Sequence, residues 1–314
     1  MDTEKKKTVL CIGIAVLDII ASPIGIPDGW KEKQEISDIM LRVGGDAANQ
    51  SIHLAELGCH VMMNGCVGDD SNGSLIRSSL QKRGVDVSLM RTKTEVPTGT
   101  ALLLVNSQGE RHIFSVKGAY TTLNKQDLPE EIPEDCGAVS LGSLFAMPEA
   151  ERDGLERFLR RVKESGIPVF ADLDSSRVTA MPEAHKSLMP LIDYFIPSYY
   201  DLFPLTGKEK PEEAAAWLLE LGVGNVIVKC GEKGCEVFSS AYRGNIPAVP
   251  VQPVDTTGAG DCMSAAFISR ILAGDCIEEA CRYACAAGSL CTLYPGANSI
   301  HLKDEEIRSM MHWA

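Results

Sequence analysis

Asp261 is the residue of this chain best placed to do chemistry. It closes the segment Asp255-Thr256-Thr257-Gly258-Ala259-Gly260-Asp261, and a helical pattern with Ala265, Ala266, Phe267, Ile268 and Ile271 then runs to Leu272. Small residues entering a helix leave backbone N–H groups unpaired, and the helix dipole adds partial positive charge, so Gly258, Ala259 and Gly260 define an anion site. A carboxylate at the mouth of such a site can take the proton of a hydroxyl attacking a phosphoryl group. The plainer reading is a helix cap after a tight turn. A second glycine segment, Gly44-Gly45-Asp46-Ala47-Ala48-Asn49-Gln50, also opens a helix. Its paired glycines admit a ligand close to the backbone, and the Asn49 amide both donates and accepts. Asp18 reads as the acid closing the first strand, where ligands bind in an open α/β sheet, or else as a loop cap.

The elements that must position these groups alternate. Val9–Ile14, Val61–Val67, Ala138–Leu141, Val169–Asp172, Tyr194–Ile196 and Val226–Lys229 read as strands. Asp46–Leu57, Ser74–Arg83, Glu149–Ser165 and Pro211–Leu221 carry apolar residues at helical spacing. Near-continuous apolar strands between amphipathic helices predict a mostly parallel sheet covered on both faces. Two regions interrupt the alternation. Ser22–Leu41 has no helical period, and Thr100–Asn106 with Arg111–Val116 reads as a hairpin around Ser107-Gln108-Gly109-Glu110. The expectation is one large α/β domain over residues 1–314, with a small β lid drawn from about 15–43 and 96–120.

Composition narrows the function. The 314 residues carry 30 Lys and Arg against 43 Asp and Glu, a formal charge of −13, which excludes a nucleic-acid binder working through a basic face. No run approaches the roughly 20 apolar residues of a membrane helix. The charged Met1–Lys7 leads into a short apolar strand rather than a signal-peptide core, so a cytoplasmic protein is expected. Eleven cysteines include no Cys-x-x-Cys pair, which argues against zinc or iron–sulfur and suits buried free thiols in a reducing compartment. The six histidines show no ligand spacing, and no P-loop, dinucleotide fingerprint or Gly-x-Ser-x-Gly is present.

Taken together, these segments resemble the ribokinase-like, or phosphofructokinase-B type, carbohydrate kinases over about residues 8–302. The resemblance rests on Asp255–Asp261, on Gly44-Gly45 with Asn49, and on Val67-Gly68-Asp69-Asp70 with Gly73. It also rests on Thr98-Gly99-Thr100, Gly109-Glu110-Arg111 and Gly118-Ala119, and on Val226 to Gly234. It implies a ribokinase-like fold, a Rossmann-type sheet with helices on both faces plus a small β-sheet lid. It implies an ATP-dependent sugar kinase using Mg²⁺, with Asp261 as general base and the Gly258–Gly260 backbone as anion hole. Asp18, Gly44, Gly45 and Asn49 would bind sugar hydroxyls. Lys229, Gly231 and Gly234 would lie on the nucleotide side, with Tyr283–Thr292 walling the adenine. Asp255 and Thr257 match positions beside a monovalent cation, so K⁺ is a further implied cofactor, and the lid implies a homodimer.

The chain departs from the family at three places. Ser198-Tyr199-Tyr200-Asp201 stands where many members carry Asn-x-x-Glu, tied to the Mg²⁺–phosphate network; the charge survives at Asp201 and the amide is lost. Asp46 and Val16 replace a Lys and an Asn of ribokinase itself, which argues against assuming D-ribose. Two rivals follow. One is a nucleoside kinase with Trp30, Phe114 and Tyr120 as a base floor; the other is a catalytically impaired, sugar-sensing homologue.

Overall fold

A computed structural model describes residues 7–25, 35–107, 111–173 and 180–312. The Gln108–Glu110 turn and Trp30 lie outside the described residues.

The chain begins with β1 (Thr8–Ile12), β2 (Val16–Ile24), β3 (Asp38–Gly44) and helix α1 (Asp46–Glu56). β4 (His60–Asn64), β5 (Cys66–Gly68), α2 (Ser71–Lys82), β6 (Val85–Asp86), β7 (Arg91–Lys93), β8 (Thr100–Asn106) and β9 (Arg111–Val116) follow. The second half runs β10 (Cys136–Leu144), α3 (Pro148–Arg152), α4 (Leu155–Glu164), β11 (Val169–Leu173), β12 (Tyr194–Phe195), α5 (Tyr199–Thr206) and α6 (Pro211–Glu220). It closes with β13 (Asn225–Lys229), β14 (Cys235–Phe238), β15 (Arg243–Ile246), α7 (Ala259–Leu272), α8 (Ile277–Cys291) and α9 (Asp304–Met311).

Among the described residues nine strands form one sheet in the order β15-β14-β13-β12-β11-β10-β1-β4-β6. All neighbours are parallel except the antiparallel pairs β13–β14 and β14–β15. From β1 the chain builds outward to β4 and β6, then returns and builds the other way from β10. The strand order therefore reverses between β1 and β10, and crevices at such a switch point are where open α/β sheets bind ligands. Val9 and Cys11 of β1 enter the core under α1, α2, α7, α8 and α9, while Leu10 and Ile12 enter the core under α3 to α6. Side-chain alternation along one strand thus feeds two cores, which is why the strands read as continuous apolar runs.

A second sheet, in the order β3-β2-β8-β9, stands apart from the first. β8 and β9 form the expected hairpin. The irregular Ser22–Leu41 stretch supplies the end of β2 and the start of β3, and β2 runs parallel to β8. Where this sheet leaves the body, a Cβ on Gly118 would lie 2.2 Å from the Gly99 nitrogen. Only glycine lets the two segments cross there.

Three expectations need correction. Asp18 does not close β1, which ends at Ile12; it sits within β2 of the second sheet. The helix expected over Glu149–Ser165 is two helices, broken where Gly154 takes φ 125°, a conformation that ends a helix cheaply only at glycine. The Val61–Val67 strand divides at Gly65, where a Cβ would lie 2.8 Å from the Gly13 carbonyl oxygen.

Candidate active site

The α7 N-terminus carries the site. Gly258 adopts φ 75°, and a Cβ there would lie 2.4 Å from the Ala297 carbonyl oxygen, so both the conformation and the packing demand glycine. The Ala259 N–H turns back to the Thr256 carbonyl at 3.3 Å. Among the described residues the N–H groups of Gly258, Gly260 and Asp261 have no hydrogen-bond partner. The unpaired donors are therefore those of Gly258, Gly260 and Asp261 rather than the Gly258–Ala259–Gly260 run.

Asp261 is buried and held from α1. The Asn49 amide donates to its Oδ2 at 2.8 Å, and Gln50 Nε2 reaches its Oδ1 at 3.3 Å. Gln50 also reaches Asp172 Oδ2 at 3.3 Å, and its own Oε1 accepts from Ser140 at 2.9 Å. Asn49 is fixed in turn by Asn298, whose Nδ2 donates to Asn49 Oδ1 at 2.7 Å and to the Val43 carbonyl at 2.8 Å. Asp172, at the carboxyl end of β11, accepts from Ser264 at 2.9 Å and pairs with Lys229 Nζ at 2.5 Å. The ammonium pairs with Asp172 and acts on Asp261 through its charge. Burial and the charge of Asp172 raise the Asp261 carboxyl to about 6, against the hydrogen bonds from Asn49 and Gln50 and the charge of Lys229. Burial would lower the Lys229 ammonium, but the Asp172 carboxylate beside it carries it above the ordinary lysine range.

A cavity of about 700 Å³ opens on the other side of the α7 N-terminus. Lys229, Gly231, Gly234 and Ser198 line it, together with Ala259 and Gly260, and its apolar wall includes Val249, Val251 and Met263. Cys285, Gly288, Ser289 and Thr292 place the end of α8 along it. Lys229 Nζ would lie 3.4 Å from a Cβ on Gly260, so the ammonium reaches the α7 N-terminus. Asp201 forms a capping box: the Ser198 N–H donates to Asp201 Oδ2 at 3.1 Å, and the Asp201 N–H donates to Ser198 Oγ at 3.2 Å. Ser198 and Asp201 therefore form a reciprocal N-cap of α5, a structural use of the Ser-x-x-Asp departure.

Asp18 lies on the second sheet against the start of α1. A Cβ on Gly44 would lie 2.2 Å from its Oδ2, and Gly45 is the left-handed N-cap of α1 at φ 91°. The Asp18 carboxylate accepts no hydrogen bond among the described residues, and burial raises it to about 6. Asp255 Oδ1 accepts from the Thr257 N–H at 2.9 Å and its hydroxyl at 2.6 Å, while Oδ2 accepts from the Gly296 N–H at 2.8 Å. That carboxylate joins the loop before α7 to the loop after α8. Of the aromatic residues suggested as a nucleoside floor, Trp30 lies outside the described residues. Phe114 shares a sheet face with Leu102, Ile19 and Leu41, opposite the Asp18 face, and Tyr120 is buried against Ile14 and Ala146.

Sequence reasoning missed Gln50, Asp172, Ser264, Ser140 and Asn298. Asp172 did carry a signal, an acid ending a strand that is otherwise apolar beside the switch point. Gln50 adjoins Asn49 in the glycine segment and carries no signal of its own.

A switch-point crevice, a buried carboxylate at a glycine-rich helix N-terminus and an adjoining nucleotide-sized cavity define a phosphotransferase that acts on hydroxyl groups. The pfkB family carbohydrate kinase model matches residues 6–304, and the chain belongs to that family. It is 34% identical over 267 residues to a ribokinase of Arabidopsis thaliana, covering 81% of this chain and 68% of that protein. The structure of Arabidopsis thaliana ribokinase complexed with ribose and ATP superposes with a TM-score of 0.80 at 29% identity, covering 98% of this chain and 99% of that one. An E. coli protein assigned as a ribokinase II, solved with ATP and Mg²⁺, gives a TM-score of 0.82 at 26% identity over 98% of this chain and 99% of that one. The chain is accordingly an enzyme, a kinase with an alcohol group as acceptor, and its fold is ribokinase-like with a small separate sheet.

Proposed function

We propose that the chain transfers the γ-phosphate of ATP to a hydroxymethyl group of a small sugar or sugar-like polyol. The observation that carries the reading is the Asp261 carboxylate, buried at the α7 N-terminus and oriented by Asn49 and Gln50. Its raised affinity for protons suits a general base working near neutral pH. Asp261 takes the acceptor proton, and the unpaired N–H groups of Gly258, Gly260 and Asp261 stabilise charge on the phosphoryl group. Lys229 supplies positive charge at the same end, and Gly231 and Gly234 let the nucleotide approach the backbone. ATP would enter with Mg²⁺, which neutralises phosphate charge. Asp18 and Asn49, with room made by Gly44 and Gly45, accept and donate hydrogen bonds to sugar hydroxyls. The β3-β2-β8-β9 sheet acts as a lid pivoting at Gly99 and Gly118, and its closure excludes water from the reacting centre. This lid, drawn from about 15–43 and 96–120, belongs to a single kinase domain.

Asp255 and Thr257 are read as the monovalent-cation site. Leu41, Leu102 and Phe114 are 51%, 36% and 54% exposed on the lid face opposite Asp18, which supports a homodimer through that face. Eleven free thiols support a reducing, cytoplasmic setting. No helix among the described residues is long and apolar enough to cross a membrane.

The test is ADP release from Mg·ATP across pentoses, hexoses, ketoses, sugar acids and nucleosides, with Asp261→Asn as the blank. Sugar-dependent release that vanishes in the variant is expected. Release with nucleosides alone would replace the sugar by a nucleoside, and a panel without release from a protein that binds ATP would favour the sensing role.

A further inference from the structure

Directly behind Asp261 the fold assembles three groups that lie far apart in sequence. His53 on α1, Cys262 on α7 and Cys291 at the end of α8 are all buried, and their donor atoms lie within 4.8 Å of one another. The cysteine spacing gives no sign of this, because each ligand comes from a different helix. His53 Nε2 lies 3.0 Å from the Ala297 carbonyl oxygen, which can only accept, so Nε2 carries the proton. Nδ1 is then the basic nitrogen; it is buried and has no hydrogen-bond partner among the described residues, and one nitrogen of the ring lies within 4.8 Å of both thiol sulfurs. A ring N–H fixed by a backbone carbonyl, with the other nitrogen left for the ion, is the usual outer-shell arrangement of a metal-bound histidine.

We propose that His53, Cys262 and Cys291 form a Cys₂His site for a thiophilic divalent cation of the Zn²⁺ class. Bond lengths of about 2.3 Å to sulfur and about 2.0 Å to nitrogen put neighbouring ligand atoms of a tetrahedral ion roughly 3.5–3.8 Å apart. The donors need to close by about 1 Å at most, within side-chain adjustment. Charge selects the ion: two thiolates, a neutral imidazole and a divalent cation sum to zero, whereas a monovalent thiophilic ion would leave a net negative charge in an apolar interior. Binding releases two protons, one from each thiol, and forms two metal–sulfur bonds and one metal–nitrogen bond with no change of oxidation state. Glu56 Oε2 stands 3.7 Å from Nδ1. Glu56 already accepts from Arg83, His301 and the Leu302 N–H, so it buttresses the imidazole rather than completing the set.

An ion here joins the helices that hold the active site. Cys262 follows Asp261, His53 lies one turn beyond Asn49, and Ala297 precedes the Asn298 that fixes Asn49. The site therefore braces the Asn49–Asp261 contact from behind, independently of which acceptor the kinase uses.

The test uses the full chain, reduced, stripped with a chelator and kept anaerobic, with Co²⁺ as a spectroscopic probe and Zn²⁺ as competitor. One Co²⁺ per chain with a thiolate charge-transfer band, displaced by Zn²⁺ with release of two protons, is expected, together with a higher Tm in Zn²⁺. Cys291→Ser and His53→Gln should each abolish the band while keeping the metal-free circular dichroism of the parent. Cys285→Ser serves as the control, because Cys285 and Cys235 form a separate thiol pair at 3.7 Å. Absence of the band in the folded parent protein would overturn the proposal. So would a band that survives Cys291→Ser, or one lost only in Cys285→Ser. If His53→Gln fails to fold, Cys262→Ala and Cys291→Ala carry the same reading.

Discussion

The two carboxylates assigned to the site, Asp261 and Asp18, have similar proton affinities and opposite surroundings. Burial raises both to about 6, with the charge of Asp172 adding to the rise at Asp261. Asp261 receives hydrogen bonds from Asn49 and Gln50, and those amides are themselves held by Asn298 and Ser140. The Asp18 carboxylate has no hydrogen-bond partner among the described residues, and a glycine lies beneath it. One end of the site is organised before anything binds, and the other leaves its hydrogen-bonding capacity for the ligand. Charge stabilisation in phosphoryl transfer gains from groups fixed in advance, whereas a polyol supplies its own donors. The contrast gives each residue a different failure.

The largest effect belongs to Asp261→Asn. It should lower kcat by roughly 10²–10⁴ while ATP and sugar affinities stay near the parent values, as measured by steady-state kinetics and calorimetry. Lys229→Met comes next and acts on stability. It strands the Asp172 carboxylate without its ammonium, and loss of one partner of a buried pair costs about 3–5 kcal/mol, read from urea denaturation. Unchanged stability would show that Asp172 is protonated in the folded protein. Asp18→Asn should raise the sugar KM about 10- to 100-fold with a smaller change in kcat, consistent with a charged hydrogen bond of about 1.5–3 kcal/mol.

Asp18→Asn should also raise Tm at pH 7.5. The folded carboxyl binds its proton more tightly than the unfolded one, so the native state loses stability as pH rises from about 4 to about 6 and bears the full cost above that. The gain should vanish near pH 4. A Tm that falls at pH 7.5 would mean that Asp18 has a stabilising partner and the two ends are alike. The smallest effect is expected from the cation: replacing K⁺ by a bulky organic cation at fixed ionic strength should lower the rate a few-fold, and Asp255→Asn should remove that dependence.

Much of this was legible in the residues. The glycines entering α7 and α1 marked both helix N-termini, because each end needs a backbone conformation or a close approach that other residues resist. Strand–helix alternation gave the parallel sheet. The limits came from long-range packing. Asp18 was assigned to the end of β1 because one apolar run spans the gap between two sheets, and only the turn at Gly13 separates them. Gln50 and Asp172 are 122 residues apart and meet only once α1 packs over β10, the neighbour of β11 in the sheet. The same holds for His53, Cys262 and Cys291, whose order in the chain carries no ligand pattern. Ser198 and Asp201 read as a weakened metal motif, and their local geometry is a complete helix cap.

The most direct test of the pre-organised base is the pH dependence of kcat at saturating sugar and ATP, where Asp18 no longer limits binding. An acid limb with a midpoint well above the ordinary carboxylate range, near 6, is expected for the parent enzyme and should be absent from the residual rate of Asp261→Asn. A kcat that stays flat from pH 5 to 8, or a limb that survives in the variant, would contradict the assignment of Asp261 as the base.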